Sequence, residues 1–179
     1  GAPTHSGARK GPLKGQSQLM KATGSPQITV IGGGLAGCAA ALSAAAAGIR
    51  VTLIEQRPDT VTPLHDTELL AEPVGSGDFG APDVDRASGL LRAELAELGC
   101  PLVSCALRTC IGAATVSIDR YAFAQAVTAV ISEHPAIQVW RDQARKLPDA
   151  VVVLATGPTT WSPLARSLHE AAGVPYSFA

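Results

Sequence analysis

The hydrophobic pattern of residues 27–55 changes twice, and these changes divide the stretch into three elements. "QITVI" (27–31) is apolar and β-branched, which is typical of a buried strand in a parallel sheet. "LAGCAAALSAAAAG" (35–48) is rich in alanine, the best helix former, and ends on a glycine that suits a helix C-cap. "IRVTLIE" (49–55) returns to strand composition. The pattern predicts a βαβ unit with two parallel strands.

A membrane span is the alternative interpretation of this apolar stretch. Residues 28–49 are uncharged and long enough to cross a bilayer. However, the three consecutive glycines at 32–34 would lie inside that helix, where each costs up to about 1 kcal/mol relative to alanine. We therefore predict a strand, a glycine turn and a helix, and no membrane span.

The second half of the chain predicts one more helix and two more strands. Asp119 is a suitable N-cap for a helix that ends near residue 133. "IQVW" (137–140) and "AVVVLATGP" (150–158) are typical of buried strands. The predicted helix has an apolar face made of Phe123, Val127, Val130 and Ile131. The whole pattern indicates an α/β fold of the Rossmann-like type, with a mostly parallel sheet flanked by helices.

Two surface helices complete the expected domain. One begins at Ser88, packs Leu91, Leu95 and Leu98 inward, and stops at Gly99. The other has Ser162 as its N-cap, Pro163 in its first turn, Leu164 and Leu168 on one face, and Gly173 and Pro175 as stop signals. Residues 58–87 show no clear period, and so long an irregular segment is usually functional or mobile. We expect a single domain over residues 20–179.

Charge places limits on possible partners. The chain has 179 residues, of which 46% are hydrophobic and 16% charged, and its net charge is −1. Residues 1–19 are rich in Gly, Pro and Ser, hold three basic residues and no acid, and are interpreted as a flexible leader or expression remnant. Their basic residues leave a charge of −4 on residues 20–179. Because phosphate neutralisation supplies much of nucleic-acid affinity, this body is a poor RNA binder on its own.

The four cysteines do not suggest a metal site. Cys100, Cys105 and Cys110 are separated by five residues each, which fits neither paired-cysteine zinc sites nor common iron–sulfur spacings. If this segment is extended, alternate cysteines point to opposite faces. We interpret these residues and Cys38 as thiols in a reducing compartment, which favours a cytoplasmic location.

The glycine turn carries the candidate chemistry. Gly32, Gly34 and Gly37 form G-x-G-x-x-G where the first strand meets the helix. These glycines permit a tight turn, close approach of a pyrophosphate and close helix–strand packing, and the helix N-terminus favours anions. Glu55 ends the second strand, where a carboxylate can accept hydrogen bonds from ribose hydroxyls. The pattern indicates dinucleotide binding, with FAD favoured over NAD because a strand ends on "ATG" (155–157).

Several motifs in one order then identify a resemblance. The chain resembles the N-terminal part of the folate- and FAD-dependent tRNA (uracil-54-C5)-methyltransferases, the TrmFO family. These enzymes use methylenetetrahydrofolate and reduced flavin, and their FAD domain is of the glutathione-reductase-like type. The resemblance extends over most of residues 27–165. The motifs are "VIGGGLAG" (30–37), "VTLIEQRP" (51–58), "TPLHDTELL" (62–70), "ASGLLRAELAELG" (87–99), "SIDRYAF" (117–123), "EHPAIQVWRD" (133–142) and "VVVLATGP" (151–158).

The resemblance implies positions for the parts of FAD. Glu55 would hold the ribose, Arg57 would lie beside the adenosine, and the backbone near Ala144 would contact adenine. For Arg120, a structural role and a functional role both remain open. For His65, the alternatives are a place near the catalytic loop and a place in a solvated loop. The pyrophosphate would be contacted by Gly32, Gly33, Gly34, Leu35, Ala36 and Gly37, and by Ala155, Thr156 and Gly157.

Departures from the family pattern put catalysis in doubt. Relatives have a catalytic cysteine in an "LVCSN"-like segment, and matching it to "ELLAEPVG" (68–75) puts Ala71 at the cysteine position. Paired glycines of the relatives are Ala113-Ala114 here, and the relatives continue well beyond "GVPYSFA" (173–179).

Two functions remain open at this point. One is an FAD-binding member that does not methylate tRNA as this chain alone, or does so with a second chain that supplies the missing half. The other is a degenerate flavoprotein domain that serves as a non-catalytic binding or interaction module.

Overall fold

A computed structural model describes residues 27–112 and 114–173. The predictions for the leader at 1–19, for Ala113 and for the stop signal at Pro175 lie outside these residues. The elements in chain order are β1 (Gln27–Ile31), α1 (Leu35–Ala46), β2 (Arg50–Glu55), α2 (Ala87–Glu97), α3 (Pro101–Arg108), α4 (Arg120–Glu133), β3 (Ile137–Arg141), β4 (Val152–Leu154), a 3-10 turn (Gly157–Thr159) and α5 (Ser162–Ala172).

The four described strands form one parallel sheet in the order β3-β2-β1-β4. The predicted strands at 27–31, 49–55 and 137–140 are confirmed within one residue, and the strand expected within 150–158 is confirmed as the short β4. The α/β class with a mostly parallel sheet is therefore confirmed. All carboxyl ends of the strands meet at one edge of this sheet.

Neighbouring side chains of a strand point to opposite faces, and the sheet buries both of its faces. Val30 and Leu53 face the larger core, which also includes buried residues of α1, α3 and α4. Ile31 and Ile54 face a smaller core that α5 covers with Leu164. Both faces of β1 and β2 are thus buried, which explains their continuous apolar composition.

Helix α4 confirms its sequence prediction. The carboxylate of Asp119 accepts a hydrogen bond from the Ala122 backbone N–H at 2.9 Å, as an N-cap does. Phe123, Val127 and Ile131 are fully buried, and Val130 is packed against the same core.

Helix α1 also forms as predicted, and a glycine sets its distance from the sheet. Gly48 follows the helix with a φ of +77°, a conformation in which glycine is favoured. A Cβ on Gly37 would overlap the carbonyl oxygen of Gly32 and lie 3.3 Å from the Ala155 Cβ. Gly37 therefore lets α1 pack directly against the turn after β1.

The predicted inward packing of the α2 leucines is wrong. Leu91 is 56% exposed and Leu98 is 81% exposed, while Gly89 is the buried residue of this helix. Hydrogen bonds explain this orientation of α2, because Arg92 donates to the Ala81 and Pro82 carbonyls at 2.9 and 2.7 Å. These contacts turn the small and basic side of α2 toward the protein and its leucines, including Leu95, outward.

Two other expectations need correction. The segment between Cys100 and Cys110 is not extended, because Pro101–Arg108 forms α3, with Cys105 buried. The predicted Ser162 cap is wrong, because α5 begins at Ser162 itself, after Trp161. Helix α2 begins at Ala87, one residue before its predicted start. The Ser88 hydroxyl accepts a hydrogen bond from the Ala81 N–H at 3.0 Å.

We predict that Gly37→Ala lowers the free energy of unfolding by about 2 kcal/mol, because the new methyl group overpacks the contact between α1 and the turn after β1. Urea denaturation followed by circular dichroism measures this change. Gly34→Ala is the matched control, since a Cβ there meets no atom within 4 Å. Equal stability of the two variants would contradict the packing role of Gly37.

Candidate functional site

A cavity of about 340 Å³ opens at the edge where the strands end. Its walls come from the segments that follow β1, β2, β3 and β4. Ligands of open α/β sheets bind in the crevice outside the carboxyl ends of the strands. The volume lies near the lower end of the roughly 300–1,000 Å³ typical of ligand pockets.

The glycine turn forms one wall of the cavity. Gly32 has a φ of +104°, and a Cβ on it would lie 2.5 Å from the Ala155 carbonyl oxygen, so a larger residue does not fit. Gly34 faces open space, since a Cβ added there would have no atom within 4 Å. Leu35 and Ala36, which open α1, also line the cavity. Because the first N–H groups of a helix lack partners within the helix, this wall presents donors and a partial positive charge.

Gly33 connects this turn to the end of β2. Its N–H donates a hydrogen bond to Glu55 Oε2 at 2.7 Å. A Cβ on Gly33 would lie 2.6 Å from Leu70 Cδ2 and 2.8 Å from the same carboxylate oxygen. A Cβ at the middle position of the first G-x-G would therefore require the Leu70 and Glu55 side chains to move.

Glu55 is more fully bonded than its predicted ribose contact requires. Its Oε1 accepts hydrogen bonds from the Arg57 backbone N–H at 3.0 Å and from Arg57 Nε at 2.9 Å. Since a carboxylate has about four acceptor positions, roughly one remains for a further donor. Burial raises the pKa of Glu55, but the hydrogen bonds and charge of Arg57, together with the Gly33 N–H, outweigh it and lower the pKa below its usual value.

Arg57 is buried, with only 2% of its surface exposed, and it joins two carboxylates. Its Nη1 lies 3.2 Å from Glu72 Oε2 in a second ion pair. Glu72 also accepts hydrogen bonds from the backbone N–H groups of Asp66 and Thr67 and from the Thr67 hydroxyl, at 2.8 to 3.0 Å. Burial raises the pKa of Glu72, yet these hydrogen bonds lower it below its usual value. We name Glu55, Arg57 and Glu72 the buried ion cluster.

Ala71 lies beside this cluster but faces the core. Its side chain is fully buried among core residues, and it does not belong to the cavity lining. Its N–H donates a hydrogen bond to the Gly33 carbonyl at 2.8 Å, with a φ of +51° at Ala71. A thiol at this position would point into the core, so the placement of the family's catalytic cysteine at Ala71 has no support from the geometry.

His65 is half-buried and lies in the cavity wall, within the irregular segment after β2. Its Nδ1 is 2.6 Å from the Thr62 hydroxyl, which is also in the wall. Burial lowers the pKa of His65, as does the nearby Arg57, against the opposing effect of Glu72, Glu55 and Asp66. The imidazole is therefore mainly uncharged at neutral pH.

The opposite wall follows β3 and β4. Ala144 lies in it, as do Ala155, Thr156 and Gly157. The hydroxyls of Thr156 and Thr160 are hydrogen-bonded at 2.5 Å. Trp161 also lines this wall, and the sequence pattern did not single it out, because a lone tryptophan after a strand has no periodic signal.

Eleven of the twelve residues predicted to bind the cofactor line this cavity, and the exception is Gly37. Their role as ligands stays a prediction. Arg120, which sequence left open, donates two hydrogen bonds to the Pro73 carbonyl, at 3.0 and 2.7 Å, and so holds the segment after Glu72. Glu72 itself was missed, because it lies in a stretch without a period.

The described cysteines do not supply an activated thiol to this cavity. Burial raises the pKa of the Cys38 thiol to about 12, and its Sγ contacts the Gly33 carbonyl at 3.4 Å. The other three, Cys100, Cys105 and Cys110, lie outside the cavity lining. Among residues 27–112 and 114–173, no group of three or more potential ligands could hold a metal ion.

The fold and this cavity define a Rossmann-like α/β domain of the dinucleotide-binding class. The chain belongs to the glucose-inhibited division protein A (GIDA) family, whose sequence pattern matches residues 27–173. Membership in this family supports FAD as the dinucleotide.

The predicted resemblance to TrmFO is confirmed by curated relatives. Three of them carry the name methylenetetrahydrofolate–tRNA-(uracil-5-)-methyltransferase TrmFO. The protein of Rubrobacter xylanophilus is 45% identical over 149 residues, which are 83% of this chain and 33% of the relative. The protein of a Synechococcus species is 42% identical over 89% of this chain and 35% of its own length, and that of Moorella thermoacetica is 41% identical over 86% and 36%.

The chain thus spans about a third of the length of the curated relatives it matches. Within the part of the chain that the structure describes, every helix is too short or too polar to cross a membrane.

We predict that Glu72→Gln lowers the free energy of unfolding at pH 7 by about 3 kcal/mol, because it leaves the Arg57 charge only partly compensated. The lowered pKa of Glu72 means that its carboxylate stabilises the fold above the usual glutamate pKa, and that this contribution disappears as the pH falls through the folded-state pKa. Thermal melts between pH 7 and pH 3 should therefore depend less on pH in the variant.

Glu68→Gln is the control, since Glu68 is an exposed residue of the same segment. If Glu72→Gln and Glu68→Gln gave the same curves, the buried ion cluster would not stabilise this segment.

Proposed function

We propose that this domain binds FAD through the ADP half of the cofactor. The observation that carries the proposal is the open space at Gly34, next to the N-terminus of α1 and within a cavity bordered by all four strand ends. The oxygens of a pyrophosphate at this turn would accept hydrogen bonds from the free N–H groups at the start of α1. The flavin, when bound, supplies electron transfer that protein side chains cannot provide.

The acid at the end of β2 supports a ribose at the next position. Glu55 has about one acceptor position left after its bonds to Arg57 and Gly33, which is enough for one ribose hydroxyl. Arg57 forms ion pairs with two carboxylates. In this proposal it therefore orients Glu55 and does not bind the adenosine itself.

FAD is preferred over NAD on the basis of family membership. Both cofactors contain an ADP half, so the cavity does not separate them. Folate enters only through the names of the relatives, and we assign no described residue to it.

Catalytic methylation of tRNA by this chain alone does not follow from the site. We propose that Gly75, and not Ala71, corresponds to the cysteine of the family's "LVCSN"-like segment. In "PVGSG" (73–77) the glycine is flanked by Val74 and Ser76, as the cysteine is flanked by Val and Ser. Val74 lines the cavity and Ala71 does not, which favours this register. Glycine has no thiol to attack a pyrimidine or to carry a proton.

The alternative is a domain that keeps the fold and works without catalysis as a binding module. A second chain that supplies what the longer relatives contain would restore the first function, and the body charge of −4 makes tRNA binding dependent on such a partner. We retain the single domain over residues 20–179 as a proposal. The four free cysteines fit a reducing, cytoplasmic environment.

We predict that the protein takes up FAD and that Gly34→Glu loses at least 90% of this binding. The added carboxylate would fill the open space of the turn and repel the pyrophosphate, while the fold tolerates a side chain there. Isothermal titration and the visible spectrum of the flavin measure the binding.

Ser43→Glu is the control, because it adds the same charge to an exposed position of the same helix. A well-folded protein that binds no FAD would refute the proposed function and leave only the fold.

We also predict no methyl transfer by the unaltered chain alone. The assay contains tRNA, labelled methylenetetrahydrofolate, FAD and a reductant for the flavin, with a full-length TrmFO enzyme as the positive control. Methyl incorporation by this chain would show that neither a thiol in the 68–77 segment nor a second chain is required.

A further inference from the structure

Helix α2 carries a row of leucines that the described part of the fold leaves largely uncovered. Leu91, Leu95 and the C-cap residue Leu98 follow one another at spacings of four and three residues, which places them on one face of the helix. They are 56%, 37% and 81% exposed. A repeated apolar spacing of this kind is typical of a buried face, whereas scattered exposed leucines need no partner. We name these three residues the leucine stripe.

The opposite side of α2 fixes the stripe in its outward orientation. Gly89 is buried, and a Cβ on it would overlap the Asp83 carbonyl oxygen, so the helix backbone lies directly on the preceding loop. Arg92 is hydrogen-bonded to two carbonyls of the same loop. A rotation of α2 that buried its leucines would break both contacts. The leucine stripe is therefore available for a contact outside the described domain.

Opposite charges flank the stripe at its two ends. Arg86 directly precedes α2 and Glu97 is its last residue, and both are exposed. They are 11 positions apart in the sequence, which corresponds to three helical turns plus about 20° of rotation. Both side chains therefore lie on the same flank of the helix, one positive and one negative.

We propose that α2 is a self-association surface, on which a second copy of this chain packs its own α2 in the antiparallel direction. A two-fold axis perpendicular to the helices brings the same flank of both copies to one side of the pair. Arg86 then meets Glu97 of the partner subunit, and Glu97 meets Arg86 of the partner subunit, while the two leucine stripes pack together.

A second copy fits this face because the face is complementary to itself, with an apolar centre and opposite charges at its ends. The inference is independent of the proposed FAD binding, since Arg86, Glu97 and the leucine stripe do not belong to the cavity lining.

The length of α2 sets the expected strength of the contact. An 11-residue helix is about 16 Å long. A pair of such helices buries less than the roughly 800 Å² per partner of a standard interface, which is the size range of weak and reversible contacts. We therefore expect a dimer with a dissociation constant of about 10 μM.

Sedimentation velocity of the full chain without cofactor, at about 1 to 200 μM, should show the average mass rising from monomer toward dimer. Leu91→Glu should raise the dissociation constant at least about 10-fold, because it places two charges in the apolar centre of the interface. Leu98→Glu, at the most exposed position of the stripe, keeps the test valid if Leu91→Glu does not fold. Val151→Glu is the matched control, since this 68% exposed residue precedes β4, which makes no contact with α2 among the described residues.

Charge reversal tests the antiparallel geometry. Arg86→Glu and Glu97→Arg should each weaken the dimer about 5-fold, because each breaks two exposed ion pairs. The two changes combined should restore the original affinity, since the pairs re-form with their signs exchanged. Glu133→Arg makes the same charge change at an exposed position of α4 and should have no effect.

A chain that stays monomeric over the whole concentration range would overturn the proposal and assign the leucine stripe to a different polypeptide. A dimer that tolerates both Leu91→Glu and Leu98→Glu would overturn it as well, because its contact would lie elsewhere. A dimer that the double charge reversal does not restore would contradict the antiparallel pairing. All three outcomes can be read whether or not the chain binds FAD.

Discussion

Arg57 brings a positive charge into the interior, and much of the site depends on how that charge is compensated. A buried ion costs several kcal/mol unless it is paired and hydrogen-bonded. Here Glu55 and Glu72 share one guanidinium, and backbone N–H groups of Gly33, Asp66 and Thr67 satisfy the carboxylates. Three segments that are distant in sequence thereby become one unit.

The buried ion cluster also explains how the irregular segment after β2 obtains a defined conformation. Residues 56–86 contain no helix or ladder strand to order them. Glu72 binds the turn at residues 66 and 67, and the neighbouring Ala71 N–H binds the Gly33 carbonyl. Arg120 and Arg141 add hydrogen bonds to carbonyls of Pro73 and Glu68. Polar contacts to the backbone thus act together with the burial of Leu70 and Ala71 in the core.

Sequence predicted the parts that local physical rules control. Apolar runs identified the strands, and Asp119 identified the start of α4, because capping depends on a few neighbouring residues. The glycine spacing also located the turn that lines the cavity. Burial on α2 was predicted wrongly, since its leucines had the right period but Gly89 and Arg92 decide which side faces the protein. Glu72 and Trp161 were missed because neither lies in a segment with a periodic hydrophobic pattern.

The crowding at Gly33 shows the same limit. The motif treats this position as variable, yet a Cβ there would displace the side chains of Glu55 and Leu70. Sequence pattern describes what the family of turns shares, whereas the side chains packed against one particular turn add their own restrictions. At Gly33 the restriction comes from Glu55 and Leu70, which lie 22 and 37 positions further along the chain.

The cavity draws its walls from residues as far apart as Ile31 and Leu164, and this has a thermodynamic consequence. A ligand that contacts all four strand ends binds only the fully folded chain, so its binding free energy is coupled to global unfolding. By mass action, a dinucleotide at 100 times its dissociation constant adds about 2.7 kcal/mol to stability. That is a large fraction of the 5–15 kcal/mol, roughly, by which a typical domain is stable. Saturation with the cofactor to this level would therefore lower the unfolded fraction of the chain about 100-fold.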